Sequence, residues 1–149
     1  MVIKMIQRVI HDNKELAIII RKDFHEEGIH FLTDDNYSQQ LAYMCHPVDK
    51  SIDAHVHNYE ERIVIHTQET LIIRKGVLRV DFYLDDHSYF ESWVLHAGDI
   101  ILLVSGGHGF VVLEDVEMVE VKQGPYGGPN DKTRFDAINS SQIIIRGES

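Results

Sequence analysis

The stretch Thr70–Leu84, TLIIRKGVLRVDFYL, holds two apolar runs that meet at Gly76. After the glycine the alternation is strict: Leu78, Val80, Phe82 and Leu84 fall on one face of an extended chain. Before it, Leu71 and Ile73 share a face with Glu69, and Ile72 and Arg74 take the other. A period of two rather than 3.6 reads as strand, not helix. Short segments of the same kind recur along the chain, among them LAIIIRK, GIHFL, QLAYMCH, IDAHVH, RIVIH, SYFESWVLH, DIILLV, GFVVLED, VEMVEVK and SQIIIRG. Between them lie turn signals such as Asp34-Asp35-Asn36, Asp85-Asp86, Ala97-Gly98-Asp99 and Ser105-Gly106-Gly107. Strands at this spacing, without long helical periods between them, predict an all-β sandwich or barrel.

The two ends differ from this centre. MVIKMIQRVIH, residues 1–11, spaces Val2, Met5, Ile6, Val9 and Ile10 near a helical period and equally suits a strand. After Lys122 the chain turns to punctuation, with Gly124, Gly127, Gly128, Pro125 and Pro129 close together. Residues 123–149 are therefore expected to form an irregular C-terminal arm that carries function or packs on a partner.

Composition narrows the function classes. At 149 residues the chain is expected to be a single domain with a core of useful size. Fourteen Lys+Arg stand against 24 Asp+Glu, a net charge of −10 with histidine neutral. An acidic chain with no basic cluster speaks against nucleic acid or an anionic membrane as partner. The lone Cys45 rules out an internal disulfide framework and fits a reducing compartment. Lys4, Gln7 and Arg8 interrupt any signal-peptide core, and no apolar run approaches the roughly 20 residues of a membrane helix. A cytoplasmic location is the expectation.

The chemistry gathers in two places. His55 and His57 stand two apart, so on a strand both imidazoles would point to one face, which is how a metal site begins. Glu69 looks inward with Leu71 and Ile73, and an inward carboxylate is costly unless its charge is compensated, as a divalent cation would do. In HAGDIILLVSGGHGF a buried strand runs from an Ala-Gly-Asp turn to a glycine bend, immediately before His108. Glycines there suit a tight bend that lets the ring reach into a barrel mouth. No phosphate loop, zinc-protease helix or nucleophile elbow occurs.

These residues resemble the two motifs of the cupin family. His55-x-His57, then Glu69 with six residues before Gly76, is similar to the first. Gly98, five residues, Val104-Ser105-Gly106 and then His108 is similar to the second. The likeness covers about residues 40–122 and departs from the pattern in three ways. His57 and Glu69 are 12 apart, longer than usual; Val104 replaces a proline; and the turn before His108 is one residue short. Glu61, four after His57, is a rival to Glu69 as carboxylate, and His66 is a weaker candidate. A GPY after the last strand also looks like that of small cupins associated with bacterial surface-polysaccharide synthesis.

The resemblance implies a double-stranded β-helix (jelly-roll) barrel with a metal held by His55, His57, Glu69 and His108. The remaining histidines, 11, 25, 30, 46, 66, 87 and 96, read as surface or core residues. Three imidazoles and one carboxylate would leave two open positions on an octahedral zinc, iron, nickel or manganese ion. A substrate bound there through two oxygens would suit isomerase, epimerase or lyase chemistry on a sugar or sugar derivative. With iron, a dioxygenase is the alternative. A non-catalytic small-ligand sensor would use the same pocket, and a metal-free nucleotide-sugar epimerase would use a His base and a Tyr acid. Glu61, Glu120, Lys122 and Tyr126 are candidate substrate contacts, with Arg134 a further candidate for a substrate anion. The Glu120–Lys122 pair equally reads as a solvated ion pair. The resemblance also implies a homodimer.

Overall fold

The structure, a computed structural model, describes residues 5–147. In chain order the strands are β1 (Ile6–His11), β2 (Lys14–Ile20), β3 (Gly28–Phe31), β4 (Ala42–Cys45), β5 (Glu69–Tyr83), β6 (Tyr89–His96), β7 (Ile100–Leu103), β8 (Gly107–Lys122) and β9 (Ile145–Arg146). Two single 3-10 turns, Pro129–Asp131 and Ser140–Gln142, lie in the C-terminal arm, and no α-helix occurs among the described residues. The chain divides into two compact units: residues up to Phe24 together with those from Gln68 onward, and His25–Thr67.

The larger unit is one curled mixed sheet, a half-barrel, with strand order β1-β2-β7-β5-β6-β9 and β8 laid along β5. Every pairing is antiparallel except β6 with β9. Of the N-terminal segment, Ile6–His11 is a strand, and residues 1–4, Val2 among them, lie outside the described residues; Asp12 and Asn13, at φ 46° and 63°, form the two-residue left-handed turn that folds β1 back onto β2. Val9 of β1 is fully buried, beside Leu16, Ala17 and Ile19 of β2.

The two segments that meet at Gly76 are one strand. β5 runs through the glycine for 15 residues, and β8, likewise read as two segments, runs for 16. The pairing between them slips at Ile73/Lys75, Lys75/Val77 and Val77/Leu78. These irregularities are bulges, and a bulge bends a strand and changes which face the following residues take. Leu71 and Ile73 are buried ahead of the bend, and Leu78, Val80 and Phe82 after it, so the inward phase passes from odd to even positions. Gly76 makes the bend possible: its φ is 82°, and a Cβ there would stand 2.0 Å from the Asp115 carbonyl oxygen. Before the bend β5 pairs with β7, after it with β6, and β8 accompanies both halves.

In the smaller unit β3 and β4 form an antiparallel hairpin. IDAHVH and RIVIH, expected as strands, are not strands: residues 46–65 carry no regular secondary structure, and 47–67 are exposed. Alternation permits a strand, but a ladder needs a neighbour to bond with. Among the described residues no strand pairs with this stretch. Its apolar side chains stand in solvent, with Val56 at 87% and Ile63 at 84% exposure.

Candidate functional site

Glu69 opens β5, where the strand pairs on one side with Leu103 of β7 and on the other with Lys122 of β8. This double pairing buries the residue to 6% exposure, in phase with Leu71 and Ile73. His108 is the second residue of β8 and lies opposite Phe82, near the far end of β5. Thirteen residues of straight strand would hold Glu69 and Phe82 about 43 Å apart. Yet His108 Nε2 is 3.3 Å from Glu69 Oε2, because the bent ribbon and the short turn from β7 return both ends to one place. Glu69 pairs with Leu103, and only four residues separate Leu103 from His108, so the turn out of β7 brings the ring to the carboxylate while the bend at Gly76 lets β8 follow both halves of β5.

The electrostatics follow from that contact. The hydrogen bond from the His108 imidazole lowers the Glu69 carboxyl below its ordinary range; the nearby charges of His108, Lys132 and Lys122 add to this, and burial opposes it. The His108 ring also stacks on Phe110, centroids 5.2 Å apart, which fixes one of its faces. Glu120 and Lys122 form an ion pair at 3.4 Å near the end of β8, with the Glu120 side chain 41% exposed. That is a largely solvated pair rather than a buried acid and base.

Lys132 belongs to a cleft of about 570 Å³ in the C-terminal arm, lined by Tyr126, Gly128, Pro129, Asp131, Lys132 and Arg134. Both ends of this loop are tied to the sheet. The Gln68 amide donates to the Gln123 side-chain oxygen at 2.7 Å. At the other end Phe135 packs edge-on against Tyr83, 5.0 Å between centroids, and stacks on His87 at 4.4 Å. Further along, Ile138 donates its amide to the Tyr83 hydroxyl at 3.0 Å. The arm is irregular but seated, and it ends in β9 on β6.

His55 and His57 lie in the smaller unit. Their rings meet edge to face, centroids 5.3 Å apart, and His55 Nδ1 donates to the Asp53 carbonyl at 2.8 Å. The two imidazoles are neighbours, as their spacing predicts, but on an exposed segment rather than a strand. Glu61 and His66 are exposed on the same segment. Within the larger unit Glu69 meets His108, and within the smaller unit His55 meets His57. Among the described residues no group of three or more His, Cys, Asp or Glu side chains could hold a metal ion. Each pair supplies donors that suit a divalent ion, but two donors fall short of the three protein ligands of an open catalytic site.

Several organising residues escaped the sequence reading. Asp99, read only as part of a turn, is 2% exposed and accepts from Arg21 Nη1 at 2.9 Å, the Lys22 amide at 2.9 Å and the His96 amide at 2.8 Å. Asp81, also buried, accepts two bonds from Arg79 at 2.8 and 3.0 Å and one from Ser92. Through Ser92 this network reaches the Tyr89 hydroxyl, to which the Ile144 amide donates at 2.9 Å, anchoring β9. His46 Nε2 is buried and has no hydrogen-bond partner among the described residues. A period-two pattern marks which face is buried, but it carries no sign of partners this remote.

No protein-family model matches the chain, and no curated protein or solved structure matches it. Among the described residues no helix is long and apolar enough to cross a membrane.

Proposed function

We propose that this chain is a metal-binding, cupin-like protein with a jelly-roll barrel. In this reading a divalent ion (zinc, iron, nickel or manganese) takes ligands from Glu69, His108, His55 and His57. The protein is an isomerase, epimerase or lyase that binds a small polar molecule such as a sugar or sugar derivative, and it works as a homodimer. The observation that carries the reading is the Glu69–His108 contact at 3.3 Å. The turn out of β7 brings an imidazole to a buried carboxylate. Burying a carboxylate is costly for stability alone, so a pair built this way points to ligand chemistry.

A metal-free reading is favoured by the same contact. A carboxylate that accepts from one imidazole nitrogen orients the ring, which leaves the other nitrogen of His108 free to exchange a proton with a ligand. Activity in that case survives chelation.

Elemental mass spectrometry on untagged protein, purified without chelator, tests the metal. The expected result is near one equivalent of a divalent ion per chain, lost in His108→Ala and His57→Ala and weakened in Glu69→Ala. Retention in Glu69→Ala with loss in Glu61→Ala moves the carboxylate ligand to Glu61. An empty protein, after iron, zinc, nickel and manganese have each been offered, overturns the metal and leaves the acid–base pair.

A further inference from the structure

We propose that the cleft between Tyr126 and Arg134 is a binding subsite for a phosphate-bearing small molecule. The inference rests on the reading of Glu69–His108 as the ligand centre and names the class of ligand delivered to it.

Charge is the first support. The chain carries a net −10, so most of its surface repels anions. Yet this one cleft collects Lys132 and Arg134 against a single carboxylate, Asp131. Neither cation enters an ion pair among the described residues, whereas the Asp131 Oδ1 is turned toward the Gly127 backbone, 2.8 Å from where a Cβ would stand. Both side chains are exposed and so open to an anion from solvent.

Shape and chemistry agree with this. A volume of about 570 Å³ lies within the range of small-molecule sites, roughly 300–1,000 Å³. A guanidinium grips a phosphate with two parallel N–H bonds, an ammonium adds a point charge, and a phenol adds a neutral donor. The loop carrying all three is fixed at Gln123 and at Phe135, so less freedom is lost on binding than a free loop would lose. Position supplies the last support. The cleft lies in the segment that leaves β8 just after Lys122, the residue paired with Glu69, and Lys132 contributes positive charge toward that carboxylate.

Calorimetric titration of chelator-treated protein with inorganic pyrophosphate, and separately with uridine diphosphate, tests this. Saturable one-to-one binding is expected, weakened about tenfold or more in Arg134→Gln and in Lys132→Gln, since each removes a charge-assisted bond. Lys75→Gln, an exposed lysine on β5, should leave it unchanged. Glu69→Gln should keep pyrophosphate binding, which separates the subsite from the metal. Binding of the nucleotide alone, weakened in Arg134→Gln and Lys132→Gln, would identify a nucleoside-bearing ligand whose phosphates sit here; nucleotide binding unchanged in both variants overturns the proposal. Absence of binding by both probes, or equal weakening in Lys75→Gln, overturns the proposal even if the protein holds metal. Pyrophosphate binding in a protein that takes no metal would uphold the cleft and discard the metal.

Discussion

Asp99 shows how much one side chain can organise. Its carboxylate accepts from Arg21, from the Lys22 amide and from the His96 amide, so it joins the end of β2 to the turn between β6 and β7. The Arg21 guanidinium, only 13% exposed, also donates to the Val94 carbonyl at 2.8 Å. Removing one partner of a buried pair strands the other charge, which costs about 3–5 kcal/mol. Asp99→Ala is therefore expected to lower unfolding stability by that order in urea titrations, and Asp99→Asn by less. A cost under about 1 kcal/mol would mean that Arg21 finds water or another acceptor. Little of this was legible beforehand, because Arg21 lies 78 residues upstream of Asp99. Glu69 was legible, because its neighbours at i+2 and i+4 are apolar and local alternation suffices to turn it inward.

For the strands, legibility depended on whether the pattern carried its own partner. β2 and β7 carry continuous apolar runs (Leu16–Ile20 and Ile100–Leu103), β6 is mostly apolar around Glu91 and Ser92, and all three formed where expected. IDAHVH alternates just as well and stayed unpaired, since alternation does not name a neighbour. β5 is the instructive case. A glycine between two alternating runs reads as a divider, yet the change of phase from Ile73 to Leu78 is the mark of a bulge within one strand. Gly76→Ala is expected to cost about 2 kcal/mol or more, because a left-handed residue must then place a methyl group against backbone rather than against a movable side chain. Thermal unfolding of Gly76→Ala beside Lys75→Ala would check it, with the neighbour near wild type. The same variant should weaken any ligand that needs Glu69 and His108 together.

At the scale of the whole molecule, the all-β class and the acidic balance were plain from composition and period. The division at residues 24 and 68 was not. No shift in composition marks it, and the exposed stretch beyond β4 reads like any other strand-forming sequence. The proposed homodimer predicts a mass of two chains by light scattering at micromolar concentration; a mass of one chain would overturn it. β8 bears on how copies meet. It pairs with β5 alone among the described residues, leaves Val112, Leu113 and Val121 about half exposed, and spreads Glu114, Asp115, Glu117 and Glu120 along its length. A long, open strand edge is adhesive toward its own kind. Antiparallel approach of two such edges would bring acids against acids before any backbone bond could form. That repulsion reaches only about 8 Å in cellular salt. A row of like charges on an open edge thus acts as a short-range spacer between copies, and a bound polycation that neutralises it would let the edges approach.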